Sequence, residues 1–147
     1  MSESDEILEE ISKKDFNRPR YVKLVLKDES MRDFIISNMI NHPQIMKYYH
    51  CFYIISDASN KKPELFYKYW DTLIQLLHHP NSYHRDFGLI ILANIAKIDS
   101  QNKFNDIIDD YLKLLNDEKY MTAECCINNS ARVASVKPDL TKKIINR

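Results

Sequence analysis

The sequence predicts an all-α fold, built as an α-solenoid of about three helix–turn–helix repeats behind an N-terminal helical cap. Three observations predict it. One glycine and five prolines in 147 residues are too few turn-formers for an antiparallel sheet, and too few glycines for the crossovers of a parallel α/β fold. Apolar residues recur at helical spacing along most of the chain. The stretch from Leu76 to Ala96, a helix end, a turn at Pro80-Asn81-Ser82 and a second amphipathic run, has looser copies on either side.

Met39-Ile40-Asn41-His42-Pro43 aligns with Leu76-Leu77-His78-His79-Pro80 at a step of 37 positions, and Leu114-Leu115-Asn116-Asp117-Glu118 aligns at a step of 38. The second-helix stripes then coincide without gaps: Cys51, Ile54, Ile55 and Ala58; Gly88, Ile91, Leu92 and Ile95; Cys126, Asn129, Ser130 and Val133. The first helices agree too, Phe66 with Phe104, Trp70 with Ile108 and Leu73 with Tyr111. The expected organisation is a single domain over 1–147, with repeats at 29–62, 63–100 and 101–137 and a partial repeat or C-terminal cap at 138–147. Each helix pair is amphipathic, so stacking is what buries a continuous core.

Residues 1–28 fit the repeat poorly and read as the cap. Ser4 is the expected N-cap of a first helix, with Ile7, Leu8 and Ile11 on its apolar face. Pro19 opens a second helix, Arg20 to about Lys27, with Tyr21, Leu24 and Val25 as its stripe.

Bulk properties narrow the function classes. Lysine plus arginine equals aspartate plus glutamate at 21 each, which counts against nucleic acid, since phosphate neutralisation carries most of that affinity. No apolar run approaches the length needed to span a bilayer, so no membrane partner is expected. The acidic N-terminus does not read as a signal peptide. Three cysteines, an odd number with Cys125 and Cys126 adjacent, fit a reducing compartment. A cytoplasmic protein is expected.

The central stretch resembles a HEAT repeat on Leu76-Leu77, the turn at His78-His79-Pro80 and the early Arg85 of the next helix. The third unit keeps Asn116-Asp117 of the turn but has Ala123 at the arginine position; the first keeps Asn41 and Pro43 but has Tyr48 there. The resemblance implies a right-handed solenoid over 29–147 that serves as a scaffold for other macromolecules. The Asp–Arg ladder of well-formed HEAT arrays is incomplete, so Arg85 reads as a local contact to its own turn. Some HEAT-like arrays are DNA-alkylation-repair glycosylases with a basic groove, the alternative reading.

Chemistry-bearing residues are few. Cys51, Gly88 and Cys126 share one repeat position, where small residues let helices approach. His42, His78, His79 and His84 lie near turns, expected at solvent, without the spacing of a metal site. Asp106 and Asp110 share a solvated helix face. No Gly-rich phosphate loop is possible. No cofactor, metal or catalytic residue is expected.

In such arrays second helices line the concave face. The positions opposite the core stripe are Tyr49, Tyr53 and Asp57, then Asp86, Ile90 and Asn94, then Glu124, Asn128 and Arg132. This mixed, mildly acidic surface with aromatics at one end suits a protein or peptide partner. The acidic first helix and a basic tail of Lys137, Lys142, Lys143 and Arg147 also suggest end-to-end self-association.

Overall fold

The computed structural model describes residues 1–146, and all regular structure among them is helical. No helix of the described residues is long and apolar enough to cross a membrane. The chain divides into two compact units, Met1–Lys62 and Pro63–Arg147.

The first unit holds α1 (Glu3–Ile11), α2 (Arg18–Lys27), α3 (Glu29–Asn41) and α4 (Ile45–Lys61). Each of the first three starts on a side-chain cap. Ser2 accepts from the Asp5 amide, Asn17 from Arg20 and Asp28 from Met31, at 3.1–3.2 Å, satisfying N–H groups that have no partner inside the helix. The cap of α1 is therefore Ser2, not Ser4, and acidic Asp5 sits in the first turn, where the helix dipole favours it. Helix α2 begins at Arg18 and carries Pro19 in its first turn, where the missing N–H is harmless. Leu8 and Ile11, Tyr21, Val22 and Val25, Ile35 and Met39, and Ile54, Ile55 and Ala58 form the core around α4.

In the second unit the segment Pro63–His78 was expected to be one helix. It is a 3₁₀ stretch (Pro63–Tyr69), a short α5 (Trp70–Ile74) and a second 3₁₀ stretch (Gln75–His78). Its buried residues Pro63, Phe66, Trp70, Leu73 and Leu76 recur mostly every third position, the spacing that eclipses side chains on a 3₁₀ helix. It packs against α6 (Ser82–Ile95), whose far side meets α8 (Tyr120–Val136). Helix α7 (Lys103–Lys113) and α9 (Thr141–Ile145) also lie on α8. Gly88 of α6 lies tight against the second 3₁₀ stretch: an added Cβ would stand 3.0 Å from Leu76 Cβ. Tyr67, Trp70, Phe104 and Tyr111 run edge to face at centroid distances of 5.0–6.1 Å, and the Tyr111 hydroxyl donates to the Leu89 carbonyl at 2.7 Å.

Candidate interaction surface

In the first unit, Tyr49, Tyr53 and Asp57 lie one turn apart along α4, all half-buried. They form a connected row. Tyr49 meets Tyr53 edge-on at 5.2 Å and Phe52 at 5.8 Å. The Arg18 guanidinium sits 4.5 Å above the Tyr53 ring and donates through Nε and Nη2 to both oxygens of Asp57, at 2.6 and 2.8 Å. That hydrogen bonding raises the Arg18 pKa, burial opposes it and the Asp57 charge adds to it. Arg18 is the member that sequence reasoning missed, because its partner is 39 positions away. Tyr48 and Phe52, their neighbours, are buried.

In the second unit the expected concave row is partly covered. Asp86 and Ile90 are half-buried, and Asn94 is only 3% exposed. Asn94 is therefore not an open binding residue: its amide oxygen accepts from Arg132 Nη2 at 2.6 Å, which draws α8 onto that face of α6. Arg132 Nη1 also donates to Asn129 at 2.9 Å. Glu124, Asn128 and Arg132 are exposed.

The larger feature is apolar and was not anticipated. Tyr120, Met121 and Ile127 of α8 are 77%, 69% and 57% exposed. Ile127 borders an open groove of about 390 Å³ with Leu112, Leu115, Ser130 and Ile144. The seven-residue spacing of Tyr120 and Ile127 was a signal, hidden because the adjoining residues matched the expected core stripe.

One interior polar arrangement is built on Asp99. Asp99, buried, accepts from the Tyr67 hydroxyl at 2.5 Å, the Lys103 and Phe104 amides at 2.8 Å and Lys137 Nζ at 3.0 Å. Lys137 also donates to Asn102, the one described non-glycine residue with positive φ, at 53°. Lys137 is thus committed internally and is not available to a basic tail; Lys142 and Lys143 are exposed, and Arg147 lies outside the described residues. The histidines also differ from expectation. His84 is buried, stacked 4.1 Å from His79, while the rings of His42 and His79 each accept a backbone N–H two residues on, at 3.0 Å. His50 is buried as well, its ring donating to the Ile11 carbonyl at 2.6 Å.

The three thiols are free. Burial pushes Cys51 and Cys125 up to about 12 and Cys126 to about 11, so at neutral pH they are protonated packing groups, the opposite of an activated nucleophile. Among the described residues no group of three His, Cys, Asp or Glu side chains is placed to hold a metal ion. The surface offers apolar area, aromatic edges and hydrogen-bonding groups. No protein-family model, curated protein or solved structure matches the chain.

Proposed function

We propose that this protein is a HEAT-like helical-repeat module that binds a protein or peptide and catalyses nothing itself. Support for the repeat reading comes from the spacing of partners. Glu9–Lys47, Ile11–His50 and Arg18–Asp57 in the first unit are 38 or 39 positions apart. So are Asp86–Cys125, Asn94–Arg132 and Asp99–Lys137 in the second. Other long-range pairs, Tyr67–Asp99, Arg85–Asp117 and Lys137–Asn102, are 32 to 35 positions apart, so the separations cluster near the length of one repeat, as contacts between stacked neighbours would.

The observation that carries the function is the pair of exposed apolar side chains Tyr120 and Ile127, two turns apart on one side of α8, with exposed Met121 further round the helix. Burying one such side chain in a partner is worth roughly 1.5–3 kcal/mol, and the groove beside Ile127 suits the apolar stripe of an amphipathic helix. Polar Glu124 and Asn128, exposed on the same helix between Tyr120/Ile127 and Met121, would border the contact on one side. The test is affinity capture on the wild type and on Met121→Glu/Ile127→Glu, with Tyr49→Ala/Tyr53→Ala as a second arm. A partner held by the wild type and lost from the α8 variant, at unchanged circular dichroism, supports the reading. Retention of every partner by both variants removes it.

A further inference from the structure

On the first unit, α2 and the end of α4 enclose an open cleft of about 490 Å³, lined by Arg20, Lys23, Lys27 and Lys61 over a floor of Pro19 and Leu24. We infer that this cleft is a binding site for a compact polyphosphorylated ligand, a polyphosphorylated inositol or an equivalent cluster of phosphates. It lies away from the α8 surface in the sequence and does not depend on that reading.

Three features carry the assignment. Arg20, Lys23 and Lys27 stand at helical spacing on one side of α2, and seven residues at 1.5 Å rise spread them over about 10 Å. Lys61 adds a fourth cation from α4, so the positive charge of this open cleft comes from two helices. No acidic residue lines the cleft. Among the described residues Lys23, Lys27 and Lys61 make no ion pair, while Arg20 has only a long contact to Glu10 at 3.8 Å. Three unneutralised ammonium groups close together repel one another, and an anion bridging them relieves that repulsion.

The ligand's class follows from charge density and size. A phosphate monoester carries nearly two charges at neutral pH and three acceptor oxygens, so a few phosphates match four cations, where carboxylates would need a longer chain. An extended nucleic-acid strand fits less well. The groove on the other side of α2 shares Arg20 and Leu24 but is lined by Glu3, Glu6 and Glu10, and a backbone continuing over α2 would meet those carboxylates. A compact polyanion held mainly by Lys23, Lys27 and Lys61 needs no contact with them.

The test is calorimetric titration of the full chain with inositol hexakisphosphate and with inorganic tripolyphosphate at low and at physiological salt. Saturable binding at one site per chain, weakened by salt, is expected. Lys23→Gln/Lys27→Gln/Lys61→Gln should weaken it by about tenfold or more, with unchanged circular dichroism because all three side chains are exposed. Lys142→Gln/Lys143→Gln, an exposed pair in the other unit, should leave it unchanged. Sedimentation with phosphatidylcholine vesicles, with and without phosphatidylinositol bisphosphate, identifies the source. Binding to the soluble probes alone assigns a free ligand, and additional or exclusive binding to the phosphoinositide vesicles assigns a headgroup. The inference is overturned by no binding to any probe, by equal weakening in both lysine variants, or by duplex DNA binding more tightly than inositol hexakisphosphate.

Discussion

Arg85 binds Asp117 through two parallel hydrogen bonds, Nε to Oδ1 at 2.8 Å and Nη2 to Oδ2 at 3.0 Å, and its Nη1 closes on the carbonyls of His79 and Pro80. One side chain therefore ties its own turn to a turn 32 positions on. The expected contact of Arg85 to its own turn is present, and the bond to Asp117 adds a long-range partner that was not expected. Asp117 in turn accepts from the Lys119 amide at 2.8 Å, holding the entry to α8.

Removing either partner should be costly, because both side chains are nearly buried, at 10% and 7% exposure. Truncating one leaves a charge without its partner, and Arg85→Ala should lose about 3 kcal/mol in urea unfolding. Arg85→Lys should recover less than half of that, since an ammonium cannot reproduce the bidentate fork. A loss below about 1 kcal/mol for Arg85→Ala would show the pair to be incidental.

The turn histidines make stability depend on pH. His42 and His79 each accept a backbone N–H through a ring nitrogen, which only the neutral ring can do. Both have pKa values below the ordinary 6.5, first through burial, then through the charge of Lys47 or Arg85. A depressed pKa means their contribution is complete above about pH 6.5 and is lost as pH falls through the folded values. His79→Asn keeps a side-chain acceptor that mimics the turn and cannot titrate. Its unfolding free energy should fall less than that of the wild type between about pH 7 and pH 5. Parallel curves for the two proteins would exclude this role.

The Asp99 cluster governs a more acidic range. Burial pushes the carboxyl up, but donors from Tyr67, the Phe104 amide, Lys137 and the Lys103 amide outweigh it and hold the pKa below the usual 3.8. The stabilisation is therefore present above about pH 4 and disappears as pH falls through the lower folded value. Lys137→Met should cost about 3 kcal/mol at neutral pH by leaving the buried carboxylate short of its counter-ion. Asp99→Asn should flatten the acid limb of a stability–pH series. An unchanged acid limb would place the effect elsewhere.

Much of the architecture was legible because its signals are local. The all-helical class and the turns at His42-Pro43 and His79-Pro80 come from composition, neighbouring residues and periodicity. The 3₁₀ character of Pro63–His78 was not legible, since spacings of three and four overlap in a short aromatic run. The site was read less well. Arg18, Asn94 and Lys137 take their roles from partners 38 or 39 positions away, and a helix wheel drawn for one helix cannot say which polar side the next will cover. Asn94 looked open for that reason.

Gly88 illustrates a position whose residue type the packing explains. Alanine would improve helix propensity by about 1 kcal/mol. Its Cβ, however, would lie 3.0 Å from Leu76 Cβ and 3.4 Å from Leu77 Cδ2. Leu76 Cβ is anchored to its backbone and cannot swing aside, so relief requires the Gln75–His78 segment to move from α6. Overpacking of this kind costs about 1–3 kcal/mol, and Gly88→Ala should be destabilising by about 1 kcal/mol. A stabilised variant in thermal unfolding would mean that the segment yields easily.

Asp86 should behave in the opposite sense from Asp99. It is half-buried beside Thr122, and neither its Oδ1 nor the Thr122 hydroxyl makes a well-formed hydrogen bond among the described residues. Burial raises the carboxyl pKa above 3.8; Thr122 and Arg85 pull it back only in part, and Asp117 pushes it up again. A raised folded pKa favours the protonated form. Its contribution is then complete below about pH 4 and is lost as pH rises through the folded value, so at neutral pH the ionised group opposes folding. Asp86→Asn removes that charge while keeping the shape, and should stabilise the chain by about 0.5–1 kcal/mol at pH 7. The gain should vanish in urea titrations below about pH 4, where the wild-type carboxyl is also neutral. A variant less stable than the wild type at neutral pH would show that the carboxylate is held by interactions stronger than its burial.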